Sequence, residues 1–165
     1  MQNLATLAIA IILSLGTASS ALAACSDPAG ARVDWSGCAL SGANLTVAYL
    51  RGADLSYVNL TRANLYGANL NFANLSGAKL SGANLTKAAL AEANLSGANL
   101  SGANLEEAYL NYANVSGADM YKANLSMATL SGANLNGADL SGADLSTAIW
   151  VDGRHCGEGS IGECK

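Results

Sequence analysis

A five-residue period runs through most of this sequence. Every fifth position from Trp35 to Trp150 holds a large apolar residue, usually Leu, and the residue two places before it is Ala in all but three repeats. The result is 24 consecutive repeats in unbroken register. Because five matches neither the 3.6-residue period of a helix nor the two-residue period of a strand, the chain must turn once per repeat.

Each repeat divides into an inward-facing part and a turn. The Ala and Leu are two residues apart, so both lie on the same side of a short extended segment. The Ser-Gly or Thr-Gly pair that usually follows supplies turn residues. One such unit cannot bury its own apolar side, and the sequence therefore predicts a solenoid whose repeats stack on one another.

The repeat unit resembles that of a known family. The segments 93–97 and 98–102 both read "ANLSG", which resembles the consensus of the pentapeptide repeat proteins, and the resemblance extends over about three quarters of the chain. It implies an all-β fold, a right-handed quadrilateral β-helix with Leu and Ala inside and four repeats in each coil. Twenty-four repeats would then make about six coils, roughly 29 Å long at the spacing of paired strands.

The N-terminus has the pattern of a secretory signal peptide. An apolar run, "LATLAIAIILSLG", is followed by the small-residue tract "TASSALAA". We expect a signal peptide at 1–23, an N-terminal cap segment at 24–32, the β-helix at 33–152 and a C-terminal cysteine loop at 153–165. A retained N-terminal anchor is the alternative. The expected location is the bacterial periplasm or cell exterior, or the thylakoid lumen if the source is photosynthetic.

The four cysteines lie near the two ends of the repeat region. An even number in an exported chain favours two disulfides, and the short separations favour Cys25 with Cys38 and Cys156 with Cys164, although three connectivities are open. "LAAC", ending at Cys25, also resembles a lipoprotein lipobox, so lipidation and a membrane anchor remain an alternative. Trp35 and Trp150 hold the first and last apolar positions, where their rings could cap the core.

No cluster of residues in the sequence indicates catalysis. We expect no enzyme activity, cofactor, metal or small-molecule substrate, because the adjacent Glu106 and Glu107 have no nucleophile or base nearby. The net charge of -4 is too small to suggest nucleic-acid binding. The resemblance also includes quinolone-resistance proteins that mimic DNA and inhibit a topoisomerase. Export and the interspersed Lys residues argue against that role here, and it is kept only as an alternative.

The outward residues suggest where a partner could bind. Written as four faces of a coil, the repeats through Leu50, Leu70 and Leu110 lose the outward Asn or Asp of the consensus in all but one case. This face forms a candidate binding stripe, which consists of Tyr49, Arg51, Phe72, Glu92, Tyr109 and Tyr112. The predicted function is a structural or protein-interaction scaffold that binds a partner protein, a glycan or a second copy. Tolerated drift on a permissive β surface is the alternative.

Overall fold

Single bridge residues, spaced five apart, carry the fold of this chain. The computed structural model describes residues 25–165, which contain no helix and no strand longer than one residue. Bridge residues run from Asp34 to Ile149 at every fifth position, and a turn separates each bridge from the next. The all-β expectation therefore takes the form of isolated bridges, because each side of a coil is too short to make a longer strand.

The bridges define a four-sided coil. Each bridge residue pairs in parallel with the residue 20 positions later, as Asp34 does with Asp54, so four columns of six residues run along the molecule. We call these columns faces 1 to 4. Face 1 contains Asp34, Asp54, Asn74, Asn94, Asn114 and Asn134; face 2 contains Ala39, Asn59, Lys79, Asn99, Asp119 and Asp139; face 3 contains Asn44, Asn64, Asn84, Asn104, Asn124 and Asp144; face 4 contains Tyr49, Asn69, Ala89, Tyr109, Thr129 and Ile149.

Backbone hydrogen bonds join each coil to the next. The N–H of Trp35 donates to the Asp54 carbonyl at 2.8 Å, and the N–H of Asp54 donates to the Val33 carbonyl at 2.9 Å. The same pair of bonds recurs along all four faces. Inside, the Leu and Ala columns are fully buried through the middle coils, so the core is one continuous stack of small and large apolar layers.

Each corner is a tight turn. In the turn of residues 40–43, the N–H of Ala43 donates to the Leu40 carbonyl at 3.1 Å, and the third residue, Gly42, has φ of +70°. A positive φ at the third position is what a type II turn requires, and it explains why Gly is the usual residue there. The Ser or Thr before it lies on the outer surface of the corner.

The two ends are closed by segments outside the repeats. Cys25 is bonded to Cys38, and the Trp35 indole N–H, on a side chain only 1% exposed, donates to the Asp27 carbonyl at 3.2 Å. At the other end, the chain after Trp150 folds back in antiparallel pairing, with a bond between Cys156 and Cys164. Trp150 is only partly buried.

The expected signal peptide and the residues of the lipobox before Cys25 lie outside the described residues. Within 25–165, the structure has no helix long and apolar enough to cross a bilayer.

Candidate binding face

Exposed apolar side chains are concentrated on one side of the coil. Among the described residues, ten large apolar side chains are exposed, and seven of them lie on face 4 or on the two corners that border it. Tyr112 is 70% exposed and Tyr49 is 54% exposed. The seven are Val47, Tyr49, Tyr66, Phe72, Tyr109, Tyr112 and Met127.

Face 4 has the fewest copies of a turn hydrogen bond that recurs on the other faces. On face 1, the bridge residue of every coil accepts a bond from the backbone N–H two residues later, as Asn74 does from Ser76 at 3.2 Å. Face 3 has the same six bonds, and face 2 has four of them. On face 4, only Asn69 makes this bond. Four of the other five bridge residues have no side-chain acceptor close to the backbone, and the hydroxyl of the fifth, Thr129, makes no hydrogen bond. Local side-chain bonds of this kind favour the turn conformation.

The corners beside face 4 also carry most of the strained backbone. Twelve non-Gly residues among 25–165 have positive φ, all at the third position of a turn. Nine of these border face 4, and they are Arg32, Val47, Phe72, Lys87, Glu92, Glu107, Tyr112, Met127 and Thr147. An L-residue in this region costs roughly 1 kcal/mol or more relative to Gly. The side chains at these corners are therefore unfavourable for the local backbone.

Several of the exposed aromatic rings pack against neighbouring residues. The Arg51 guanidinium lies over the Phe72 ring, 4.4 Å from its centroid. The Tyr112 ring lies so close to Gly132, one coil later, that a β-carbon there would stand 2.5 Å from the ring. Tyr57, on another corner, covers Gly77 in the same way. These rings thus contribute to coil packing as well as to the surface, a role that the sequence analysis did not assign to them.

The charges on this side are largely balanced. Lys87 and Glu107 occupy successive positions on the corner between faces 3 and 4, with 3.5 Å between Nζ and Oε1. Glu92 is exposed on the corner between faces 4 and 1, between Phe72 and Tyr112. Exposed pairs of this kind add little stability, but they leave the surface apolar with a polar rim rather than strongly charged.

A buried hydroxyl on face 4 has no partner. Thr129 Oγ1 is the one buried side-chain oxygen or nitrogen without a hydrogen bond in the described part of the chain. It lies in the column between Tyr109 and Ile149. An unpaired buried hydroxyl is destabilising, so this is a further departure from the pattern of the other faces.

Face 1 has the regular pattern of a scaffold. On face 1, side-chain amides form a ladder in which Asn94 Nδ2 donates to Asn74 Oδ1 at 3.3 Å and Asn114 Nδ2 donates to Asn94 Oδ1 at 3.2 Å. At the first coil, hydrogen bonds from the Ser36 hydroxyl and backbone N–H lower the pKa of Asp34. These groups satisfy one another within and between coils and leave little for a ligand to bind.

All six residues of the candidate stripe fall on face 4 or on its corner with face 1, because the 20-residue register stacks them. Tyr66, on the corner between faces 3 and 4, was missed. Its signal was an aromatic residue at a turn position that elsewhere is mostly Ser or Thr. No group of His, Cys, Asp and Glu residues within 25–165 could hold a metal ion.

Comparison with known proteins identifies the repeat. The family model of pentapeptide repeats matches residues 31–65, 88–126 and 122–149, in 8 copies. No curated protein matches the sequence. A solved pentapeptide repeat protein from the Arabidopsis thaliana thylakoid lumen is 30% identical over 68% of this chain and 84% of its own, with a TM-score of 0.60.

Two other solved structures are similar in sequence but superpose less well. HetL, a pentapeptide repeat protein involved in heterocyst differentiation regulation from the cyanobacterium Nostoc, is 33% identical over 75% of this chain and 70% of its own, with a TM-score of 0.37. QnrB1, a plasmid-mediated fluoroquinolone resistance protein, is 25% identical over 72% and 65%, with a TM-score of 0.45.

Proposed function

Because this chain belongs to the pentapeptide repeat family, we propose that it is an exported, non-catalytic interaction protein whose face 4 binds a partner protein. The observation that carries the proposal is the concentration of seven of the ten exposed large apolar side chains on this side. Face 4 lacks five of six turn hydrogen bonds, and the corners that border it contain nine of the twelve non-Gly residues with positive φ. Residues that disfavour the local fold and cluster on one surface are better explained by binding than by stability.

A protein partner fits the chemistry of face 4. Two of its aromatic rings are held by neighbours, Phe72 by Arg51 and Tyr112 by Gly132, and these two therefore lose little conformational entropy on binding. Tyr and Arg are enriched at the centres of protein interfaces. The balanced charges at the rim suit a partner of mixed surface charge rather than a polyanion. We also infer that the coil is right-handed, as the family resemblance implies.

Export is supported by the disulfides and by the lumenal structure. Two bonded cysteine pairs are typical of an oxidising compartment. The Arabidopsis structure with a TM-score of 0.60 comes from the thylakoid lumen, which proteins enter by crossing a membrane. The bond between Cys25 and Cys38 counts against lipidation, because one sulfur cannot carry both a disulfide and a lipid thioether. An exported protein also does not meet a topoisomerase.

Restoring the repeat consensus on face 4 should abolish binding without destabilising the fold. The variant combines Tyr49→Asn, Phe72→Gly, Tyr109→Asn and Tyr112→Gly. The Asn residues can regain the turn bond and the Gly residues relieve positive φ, which offsets the lost ring contacts. We expect an equal or higher Tm by circular dichroism, together with loss of the partners captured by crosslinking in the producing cell.

The matched control removes aromatic residues from other corners. Tyr57→Gly and Tyr121→Ser are also changes to the consensus, at exposed rings away from face 4. This double variant should retain every partner. If the face 4 variant keeps its partners, or if the control loses them equally, the binding surface lies elsewhere.

The exported protein should begin at Ala24 or Cys25 and contain no free thiol. Intact-mass measurement should find this N-terminus, and reduction should add four hydrogen atoms, two for each bond. A diacylglycerol adduct on Cys25, or full thiol reactivity before reduction, would show that the export and disulfide assignments are wrong.

A further inference from the structure

The C-terminal segment covers only half of the last coil. The carbonyls of Ser160 and Arg154 accept bonds from the N–H groups of Leu145 and Trp150, each at 2.8 Å. Ile161 and His155 are the antiparallel bridge partners of Asp144 on face 3 and Ile149 on face 4. We call residues 153–165 the cap loop, and its two bridges lie on these adjacent faces only.

The other half, on faces 1 and 2, has unpaired backbone groups. Within the described residues, the N–H groups of Leu135 and Leu140 have no acceptor, and the carbonyls of Ala133 and Ala138 have no donor. In every earlier coil, the equivalent groups bond the next coil. Ala138, Leu135 and Leu140 are also partly exposed, whereas Leu145 under the cap loop is 0% exposed.

The outer edge of the cap loop has the matching groups. Its bonds to the coil are made by residues on either side of His155 and Ile161, such as the Gly162 N–H that donates to the Ala143 carbonyl at 2.8 Å. When the flanking residues make the hydrogen bonds of an antiparallel pair, the N–H and C=O of the central residue point away from the partner strand. His155 and Ile161 therefore present one donor and one acceptor each away from the coil, and neither residue's backbone has a bond.

We propose that two copies of this chain join end to end through these half-covered ends. The covered and uncovered halves meet along the diagonal between the corner of faces 2 and 3 and the corner of faces 4 and 1. A two-fold rotation about this diagonal exchanges face 1 with face 4 and face 2 with face 3. The cap loop of each copy then lies over faces 1 and 2 of the other copy, and both loops share one layer between the coils.

The rotation also gives the correct strand direction. Face 4 of the second copy runs antiparallel to face 1 of the first copy. The cap loop of the second copy is antiparallel to its own face 4, so this loop runs parallel to face 1 of the first copy. His155 of the second copy can thus donate to the Ala133 carbonyl and accept from the Leu135 N–H. Ile161 does the same with Ala138 and Leu140. This is the bonding that each bridge residue makes with the preceding coil.

A second copy is the occupant because the end is complementary to itself. The cap loop makes the half of the end over faces 3 and 4 one strand layer higher than the half over faces 1 and 2. The higher half of each copy fills the lower half of the other, which is the isologous contact of a two-fold dimer. Every unpaired group named above is used once on each side. The contact is confined to the end of the coil, so its area is below that of stable protein interfaces, and the dimer is weak and concentration-dependent.

Sedimentation equilibrium and crosslinking test the arrangement. The exported chain should pass from the mass of one chain to that of two as concentration rises to roughly 1 mM, a range that detects weak contacts. Ser141 is exposed at the corner on the rotation axis, about two strand spacings, or roughly 10 Å, from its copy. Ser141→Cys should therefore give a dimer band with a short bismaleimide.

Ser41→Cys is the matched control, since Ser41 lies in the same corner column at the opposite end of the coil. It should give no dimer band. The face 4 consensus variant should still dimerise, which separates this contact from the proposed binding face. A chain that stays monomeric at every concentration, or equal crosslinking of both cysteine variants, would overturn the end-to-end dimer.

Discussion

Replacing Leu85 by Lys is expected to abolish cooperative folding. Leu85 is 0% exposed in the middle of the coil, in a column between Leu65 and Leu105. The buried residues of the middle coils are apolar, so a Lys at this position would place its ammonium among apolar side chains. Losing the buried Leu costs about 2 to 5 kcal/mol, and an unpaired buried charge costs several more. Together these approach the whole stability of a domain, about 5 to 15 kcal/mol.

Asn84→Ser is the control for this prediction, because it changes the neighbouring residue on the outside. Asn84 Oδ1 accepts a bond from the Thr86 N–H at 3.1 Å, and Nδ2 donates to Asn64 at 3.2 Å. Losing these bonds at the outer surface should cost about 1 kcal/mol. Circular dichroism melts should therefore show a normal transition for Asn84→Ser and none for Leu85→Lys. Two similar melts would mean that the inward and outward positions are wrongly assigned.

The inside of this molecule was predictable because one rule repeats 24 times. The spacing of Leu and Ala determines which residues are buried, and the 20-residue register follows once four repeats make a coil. The contact between Tyr112 and Gly132 could also have been found, since the two are 20 residues apart. An aromatic corner residue with Gly 20 positions later indicates that the ring lies on the next coil.

The ends were not predictable in the same way. Trp150 occupies the last apolar position, yet it is only partly buried, because the cap loop pairs with the backbone of faces 3 and 4 and leaves faces 1 and 2 uncovered. This path depends on backbone contacts such as those of Ser160, which is 0% exposed. Such contacts belong to a single irregular segment and leave no periodic trace in the sequence.

Removing either disulfide should destabilise the nearest coil far more than the middle of the molecule. The bridges close short loops, with sequence separations of 13 and 8, and each should contribute about 2.5 to 3 kcal/mol. In a stacked-repeat fold, each coil contacts only its neighbours, so the loss of an end contact raises local opening there first. The paired variants are Cys25→Ala with Cys38→Ala, and Cys156→Ala with Cys164→Ala.

Native-state hydrogen exchange measures this prediction. Without the bond between Cys156 and Cys164, the cap loop can leave Ser160 and Arg154, and the N–H groups of Leu145 and Trp150 then lose their acceptors. Exchange at these two amides should increase on the order of 10-fold to 100-fold, since each 1.4 kcal/mol corresponds to a factor of ten. The Leu85 amide, bonded to the Asn104 carbonyl at 2.7 Å in the middle coils, should keep its protection. If exchange instead rises equally at Leu85 and Leu145, the coil opens as one unit and the end segments do not act as local caps.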